Sequence, residues 1–525
     1  MPAMDLDTAL TTIGYGCGQV IIFVVSFFIY MYSVCESMSV SYVVVLTSCE
    51  FATTKEEKTL MASSLLGGMV ASGLFIGFLA DTYGRKCIIR LALLGALGFS
   101  TLSALMPEVY SLSMMRIIVG VFLSGVASLQ VGFLIEFHAP KWRPTVVALC
   151  GQSVSAALIF CPLMAMGILH DDFSVTISSD YDMRPWRFLM IVVQLPGWLA
   201  LLGISLVPET PYYYISVNRE DKALNAIQWV CRMNRKKWED LDISGISPDD
   251  RTSISEEGGF LKRMWFDSMR LFQRPYVGTT IICLLLIFGL FFTSIGLGIW
   301  FPAIRNMDNS GSHRLCDLVR NNPVFKNPKW NVNGTSSAEP FRCNDVMTNL
   351  IDPIYYGLAY FGCYTLSAVL VRFLLRKYVI ALHIGVAFVF GLALNGVSQA
   401  TLVLISFTGM MVMPGVLIPL ASSVLIDALP IHLRGKALCL VRSLARLGAV
   451  VGSTIVGLLI RVSCDLTLNF FNAYLLASFW PSFYLNKCWQ VLRFTILTKF
   501  VSDAVKQTCN RRGKKNYFPL TSFNL

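Results

Sequence analysis

The ten residues Gly77-Phe78-Leu79-Ala80-Asp81-Thr82-Tyr83-Gly84-Arg85-Lys86 decide how this chain is to be read. They stand between two apolar runs, 60–80 and 87–106. Each run has about the length that a helix needs to cross a bilayer core of ~30 Å. Every residue type in the stretch has a physical use. Gly77 permits close helix contact. Asp81, at the helix end, can accept from a neighbouring helix N-terminus or pair with an arginine. Gly84 makes the turn, and the basic pair Arg85-Lys86 is held on the inner side of a membrane. A charged tight turn would need the basic pair alone, and this pattern carries more than that.

Ten further runs of the same kind lie near 17–35, 112–135, 146–169, 186–207, 276–301, 353–374, 378–398, 401–426, 437–460 and 466–486. The last is interrupted by Asn469, Asn472 and Pro481. The chain therefore reads as an all-α membrane protein of about twelve transmembrane helices in two six-helix repeats. An N-terminal half (1–207) is followed by a polar linker (208–275), a C-terminal half (276–486) containing a long loop (302–352), and a tail (487–525). Composition agrees: of 525 residues 55% are hydrophobic and only 14% charged, against roughly 25% charged in soluble proteins. Residues 1–9 hold Asp5 and Asp7 but no Lys or Arg, unlike a secretory leader, so the first run reads as a retained helix. In the linker, Ala223, Ile227, Val230 and Cys231 recur at helical spacing and predict an amphipathic helix on the inner membrane surface.

The net charge of +11 does not point to nucleic acid, because no basic stripe with interleaved aromatics is present. The positive residues sit in short loops instead. Arg85, Lys86, Arg90, Lys141, Arg143, Arg376, Lys377, Arg434 and Lys436 all fall on one side if both termini are cytoplasmic, as do Lys262, Arg263, Arg270 and Arg274. That topology puts 302–352 outside the cytoplasm. The loop carries an N-glycosylation acceptor at Asn333-Gly334-Thr335 and two cysteines, Cys316 and Cys343, able to pair in an oxidising lumen. Most of the fifteen cysteines lie in apolar runs as small hydrophobes. No Cys/His spacing suits a metal, and no cofactor is implied. An internal repeat is also visible: Glu136 precedes Arg143 by seven residues after run four, and Asp427 precedes Arg434 by seven after run ten. Parallel repeats of this kind are a feature of secondary transporters.

The 77–86 stretch is similar to the signature loop of the major facilitator superfamily. The resemblance implies that Gly77, Asp81, Gly84, Arg85 and Lys86 form a gating motif, with Asp81 and Arg85 latching the inner side against the opposite half. The second-half counterpart at Arg376-Lys377 lacks the Asp and Gly. A finer resemblance, over roughly 15–475, is to the synaptic vesicle glycoprotein 2 branch, and the loop length suggests an invertebrate member. It is carried by Arg116, Glu136-Phe137, Pro185-Trp186-Arg187, Pro208-Glu209-Thr210-Pro211, Trp300-Phe301-Pro302 and Arg446-Leu447-Gly448-Ala449. Two positions depart from the branch: Ser33 stands where an Asp is expected, and Tyr212 where an Arg is expected.

Ionisable residues inside spans cost roughly 2.5–3.5 kcal/mol each on insertion scales unless paired or wet. Glu36, Arg116, Glu136, Asp427, Arg442, Arg446 and Arg461 are the candidates. Glu136, Asp427 and Arg116 read as helix-end residues. Glu36 is open to two readings: helix one reaches about residue 40 and encloses it, or ends near Val34 and leaves it in an outer loop. Glu36, Arg116 and Arg446 are the coupling candidates, while Tyr15, Tyr30, Tyr32 and Trp300 could line a cavity. His383 reads as structural. The expected function is transport of a small organic solute by a monomeric unit, with or without protons, in the plasma membrane or a secretory vesicle. The alternative is a vesicle glycoprotein of the same fold acting as a trafficking scaffold. No enzyme motif of the HExxH or GxSxG kind occurs.

Overall fold

The computed structural model describes residues 4–47, 50–51, 53–170, 175–178, 181–238, 269, 271–274, 276–305, 314–321, 347, 349–429, 431–460 and 462–479. Asn333, Cys343 and the tail from 487 lie outside them, as do the side chains of Asp427 and Arg434. A short helix α1 (Leu6–Ile13) precedes the first long one, α2 (Cys17–Leu46). Then follow α3 (Lys55–Tyr83), α4 (Arg85–Ala104), α5 (Val109–Ile135), the pair α6 (Arg143–Cys150) and α7 (Gln152–Ile168), and the pair α8 (Pro185–Val192) and α9 (Leu195–Leu206). A small antiparallel hairpin, β1 (Val175–Ser178) with β2 (Tyr181–Met183), connects α7 to α8.

The linker holds α10 (Pro211–Ser216) and α11 (Glu220–Met233). The second half contains α12 (Val277–Gly298), α13 (Phe301–Arg305), α14 (Leu315–Asn321), α15 (Ile351–Phe373), α16 (Arg376–Ala393), α17 (Ala400–Ala428) and α18 (Ile431–Leu459). A last helix, α19, runs over 464–479. Eleven of the described helical segments are long and apolar enough to cross a bilayer; α19 is shorter over its described residues and is not one of them. Large apolar side chains such as Leu202, Leu206, Phe373 and Val389 point outward, as lipid contact requires.

Helix α2 continues eleven residues past the apolar run that marks its start. Its later serines satisfy their own hydroxyls on the helix backbone: Ser37 donates to Ser33 O at 2.8 Å and Ser39 to Glu36 O at 2.8 Å. Glu36 is therefore inside a helix. Helix α3 opens with a reciprocal cap, Thr54 and Glu57 each accepting from the other's backbone N–H. It ends at Gly84, whose φ of +100° suits a residue without Cβ and turns the chain directly into α4. Glu209, from the Pro-Glu-Thr-Pro stretch, fills the space beside that turn. It accepts from Lys86 N at 2.8 Å and Cys87 N at 3.2 Å, so a carboxylate sits on the first turn of α4. Close packing elsewhere uses small residues, and a Cβ on Gly68 of α3 would strike the backbone of α5 at Ile117.

At the end of the bundle remote from Arg85, called here the far end, Arg187 pins three segments. It donates to Ala104 O at 3.0 Å and Met106 O at 2.8 Å and pairs with Glu50 at 2.9 Å, while Trp186 Nε1 donates to the same carboxylate at 2.7 Å. Arg305 and Asp352 pair at 2.6 Å where α13 leads towards α15. The disulfide differs from the sequence expectation. Cys316 of α14 bonds Cys464, the first residue of α19, with a Cα–Cα distance of 5.5 Å. The pairing of Cys316 with Cys343 is thereby replaced: the fold brings α14 onto the last helix. The amphipathic linker helix is present as α11, with Ala223, Ile227, Val230 and Cys231 buried. Its C-terminal Asn234 accepts from Gly18 N at 2.8 Å, tying the linker to the start of α2.

Two outcomes follow. Peptide mapping without reductant should recover a Cys316–Cys464 cross-link, and recovery of Cys316 joined to Cys343 would overturn this arrangement. Glu209→Ala should lower the stability of the purified protein by about 1–2 kcal/mol, the loss of a helix cap, read as a reduced midpoint of thermal unfolding in detergent.

Candidate functional site

The gating-motif residues gather at the basic end of the bundle, where α3 meets α4. Arg85 forms an ion pair with Glu136, the residue that ends α5. Asp81 is exposed at the end of α3 and shares its electrostatic surroundings with Arg85 and with Cys439 of α18. Gly77 lies against Cys439, and Gly73 against Ser443. A side chain at either glycine would push α3 off α18, so the two halves close on each other here. Lys86 contributes its backbone to the Glu209 cap and its ammonium to Ser205 O at 3.4 Å.

Glu136 and Arg143 do not pair with each other. Arg143 pairs with Asp7 of α1 at 2.6 Å, donates to Tyr212 at 3.1 Å, and through Nε reaches Ile135 O and His138 O at 3.1 and 3.0 Å. Tyr212 donates to the same Asp7 carboxylate at 2.5 Å. The phenol that replaces the expected arginine thus joins a strap between the N-terminal helix, the α5–α6 turn and the linker. Of the second copy, Asp427 lies on α17 and Arg434 on α18, and their side chains are outside the described residues.

Deeper in the first half, Glu36 of α2 forms an ion pair with Arg116 of α5. Ser100 of α4 donates to the same carboxylate oxygen at 2.6 Å. Both charged side chains are essentially sealed, at 0% and 2% exposure. Arg116 is accordingly an interior residue, not the helix-end residue its position in the run suggests. Glu36 Oε2 and Arg116 Nε are left without hydrogen-bond partners. Removing one member would strand the other's charge, at a cost of about 3–5 kcal/mol.

A second polar locus lies at mid-bundle between the halves. Arg446, near the middle of α18, donates to Ser124 of α5 at 3.2 Å. Arg442, one turn earlier, is within electrostatic reach of Tyr364, and Tyr30 of α2 is within reach of both Arg446 and Tyr364. Tyr356, Tyr360 and Tyr364 stack along one face of α15, at 5.2 and 5.9 Å between ring centroids. Tyr360 and Ser294 of α12 share a hydrogen bond of 2.7 Å. Their spacing of four is a helical-face signal that was present in the sequence, but in an aromatic-rich chain it did not stand out.

The other aromatic candidates are elsewhere. Tyr15 stacks on Trp142 at the basic end, and Trp300 is packed into α18, donating to Ser453 O at 3.0 Å. Tyr32 is fully buried beside the Glu36 pair. His383 bridges Ser367 at 2.7 Å and Val379 O at 2.9 Å, a structural role as expected. Towards the far end, a cavity of about 10 Å³ is lined by Tyr42, Cys161, Phe301 and Tyr356, room for about one water. Among the described residues no group of three His, Cys, Asp or Glu could hold a metal ion.

Burial pushes the Glu136 carboxyl up to about 7, with Arg85 opposing the rise. The folded state therefore holds the Glu136 proton more tightly than the unfolded chain, whose glutamates ionise near 4.3. Stability from this group is present below about pH 4 and is lost as pH rises through about 7. Glu136→Gln mimics the protonated form, so the variant should gain stability relative to the parent between pH 5 and pH 8. A difference in melting temperature that does not change with pH would show that Glu136 titrates outside this window.

Residues 13–302 match the family described as sugar (and other) transporter. The chain is similar to human synaptic vesicle glycoprotein 2B, with 22% identity over 321 residues that cover 57% of this chain and 47% of the relative. It is similar also to rat synaptic vesicle glycoprotein 2C, with 24% identity over 289 residues, covering 51% and 40%. The chain thus spans about half or less of the length of these curated relatives. Its fold is that of the xylose transporter XylE from E. coli in a partially occluded inward-open conformation, at a TM-score of 0.61 and 14% identity over 89% of this chain and 99% of that one. With eleven described helices able to span a membrane and a family match over more than half its length, the chain belongs to the sugar (and other) transporter family of the major facilitator superfamily.

Proposed function

We propose that this protein carries a small organic solute across a membrane by alternating access, the two halves rocking about the polar locus between α2, α5, α12, α15 and α18. The observation that carries the reading is the contact of Arg446 in one half with Ser124 in the other, at mid-bundle. Polar groups at that depth are costly and mark substrate pathways by default. The α3–α18 closure around Gly73 and Gly77 supplies a gate on the basic end. Positive loops orient that end to the cytoplasm, and the Cys316–Cys464 bond suits a far end in an oxidising space. The transport unit is a monomer, residing in the plasma membrane or a secretory vesicle.

Proton coupling rests on Glu36. A carboxylate that is paired with Arg116 in one state and released in another would take up a proton when the pair opens. The second reading, a vesicle glycoprotein acting as a scaffold, is favoured by the sealing of that same pair: Glu36 is fully enclosed, with Arg116 and Ser100 both on one carboxylate oxygen.

Proteoliposome uptake separates the two. The transport reading expects time-dependent accumulation of at least one solute from pooled sugars, organic cations and organic anions. If coupling is through Glu36, accumulation should follow an imposed pH gradient and disappear in Glu36→Gln, with downhill exchange retained. Uptake by Glu36→Gln equal to the parent's under the same gradient would remove Glu36 from coupling. Absence of flux in every pool, with the protein folded and inserted, would favour the scaffold.

A further inference from the structure

Arg442 and Arg446 set themselves apart from the other buried arginines. Arg85, Arg116, Arg143, Arg187 and Arg305 each have a carboxylate partner. Among the described residues neither Arg442 nor Arg446 has one. Both are nonetheless enclosed, at 5% and 2% exposure. They are four residues apart on one helix, hence on one face and separated by about 6 Å along the axis. Each lies more than ten residues from either end of α18, so neither can lift its charge to a membrane surface. Among the described residues Arg446 donates to a neutral hydroxyl, Ser124 Oγ at 3.2 Å. Arg442 Nε has no partner at all. Glu36 is committed to Arg116, and Asp81 lies at the basic end of α3.

Among the described residues, the groups identified around the two guanidiniums are neutral. They are the phenols of Tyr30 and Tyr364, the Ser124 hydroxyl and the Cys439 thiol. Two like charges placed together with only neutral neighbours raise each other's cost. That cost is relieved when something brings an anion between them. A guanidinium is a planar fork matched to an oxyanion, and two in sequence match one carboxylate, sulfate or phosphate group. The phenols of Tyr364 and Tyr30 lie next to that position, suited to the body of a compact, planar molecule. A cation would be repelled here, and a neutral sugar would leave both charges unmatched.

We propose that the solute bound at the centre of this bundle is a small organic anion, its oxyanion group held by Arg442 and Arg446. The assignment rests on the transport reading for what the site is used for, but binding can be tested without flux. The full-length protein in detergent would be heated with millimolar 4-hydroxybenzoate, succinate or phenyl phosphate, and in parallel with glucose, xylose or tetraethylammonium. At least one anion should raise the melting temperature, and the sugars and the cation should not.

Arg446→Gln and Arg442→Gln should each weaken the anion effect about tenfold or more. Arg446→Met, without ligand, should melt at a higher temperature than the parent, since it removes an unmatched buried charge; a fall would indicate a structural pairing and count against the assignment. Stabilisation by none of the three anions overturns it. Uptake of glucose or tetraethylammonium that is unchanged in Arg442→Gln also overturns it, while leaving transport itself intact. Conversely, arginine-dependent anion binding without any flux sustains the site and removes the transport reading.

Discussion

Burying charge in an apolar medium is the constraint on which this structure turns. Water is not there to solvate a guanidinium or a carboxylate, so each must meet an opposite charge, a helix terminus or a ligand. The Glu36–Arg116 pair is the plainest case, joining α2 to α5 inside the first half with Ser100 of α4 completing the contact. Arg187 applies the same rule at the far end, drawing Glu50 and two backbone carbonyls together. Helix order in the first half follows from these few matches as much as from apolar packing.

The two ends of the bundle are built differently. At the basic end the contacts are backbone-close, with Gly73 and Gly77 against α18, and the surrounding charges are partly exposed. Contacts of that type separate without leaving large unmatched surfaces. At the far end, rings stack within the second half, Phe301 lying on Tyr356 at 4.8 Å and on Phe407 at 5.6 Å, and Phe301 and Tyr356 face Tyr42 and Cys161 of the first half across a small cavity. The linker is fastened to the first half through Asn234 and through Tyr212, so that α1, α11 and the start of α2 form one unit. A motion of one half against the other would carry that unit along.

Much of this was legible in the chain. Apolar runs gave the helices to within a few residues, because span length is set by bilayer thickness and not by detailed packing. The 77–86 pattern located the turn between α3 and α4, since a short turn with a permissive residue lets two spans follow without a gap, whereas its approach to the opposite half was implied by the resemblance alone. The end of α2 was not legible: serines at 37, 39 and 41 look like a loop when counted as polar, yet Ser37 and Ser39 bond their own helix. The role of Glu209 was hidden because its partners, the amides of Lys86 and Cys87, are more than a hundred residues away. Cys464 falls between the last two apolar runs, and nothing local marks it as the mate of Cys316. Long-range pairing of this kind is decided by the fold, after the helices have found their places.

The disulfide also imposes an order on biosynthesis. Its two sulfurs are 148 residues apart, so Cys316 is made long before its mate exists. At 5–20 residues per second the wait is roughly 7–30 s. For that interval the thiol faces its compartment's oxidants with Cys343, nearer in the chain, as the earlier-arriving competitor. The native bond is thus a late event that reports on the whole C-terminal half, because it can close only once the last helix has been delivered to the same side. A quality-control machinery that reads free thiols would see this protein as unfinished until its final span is in place.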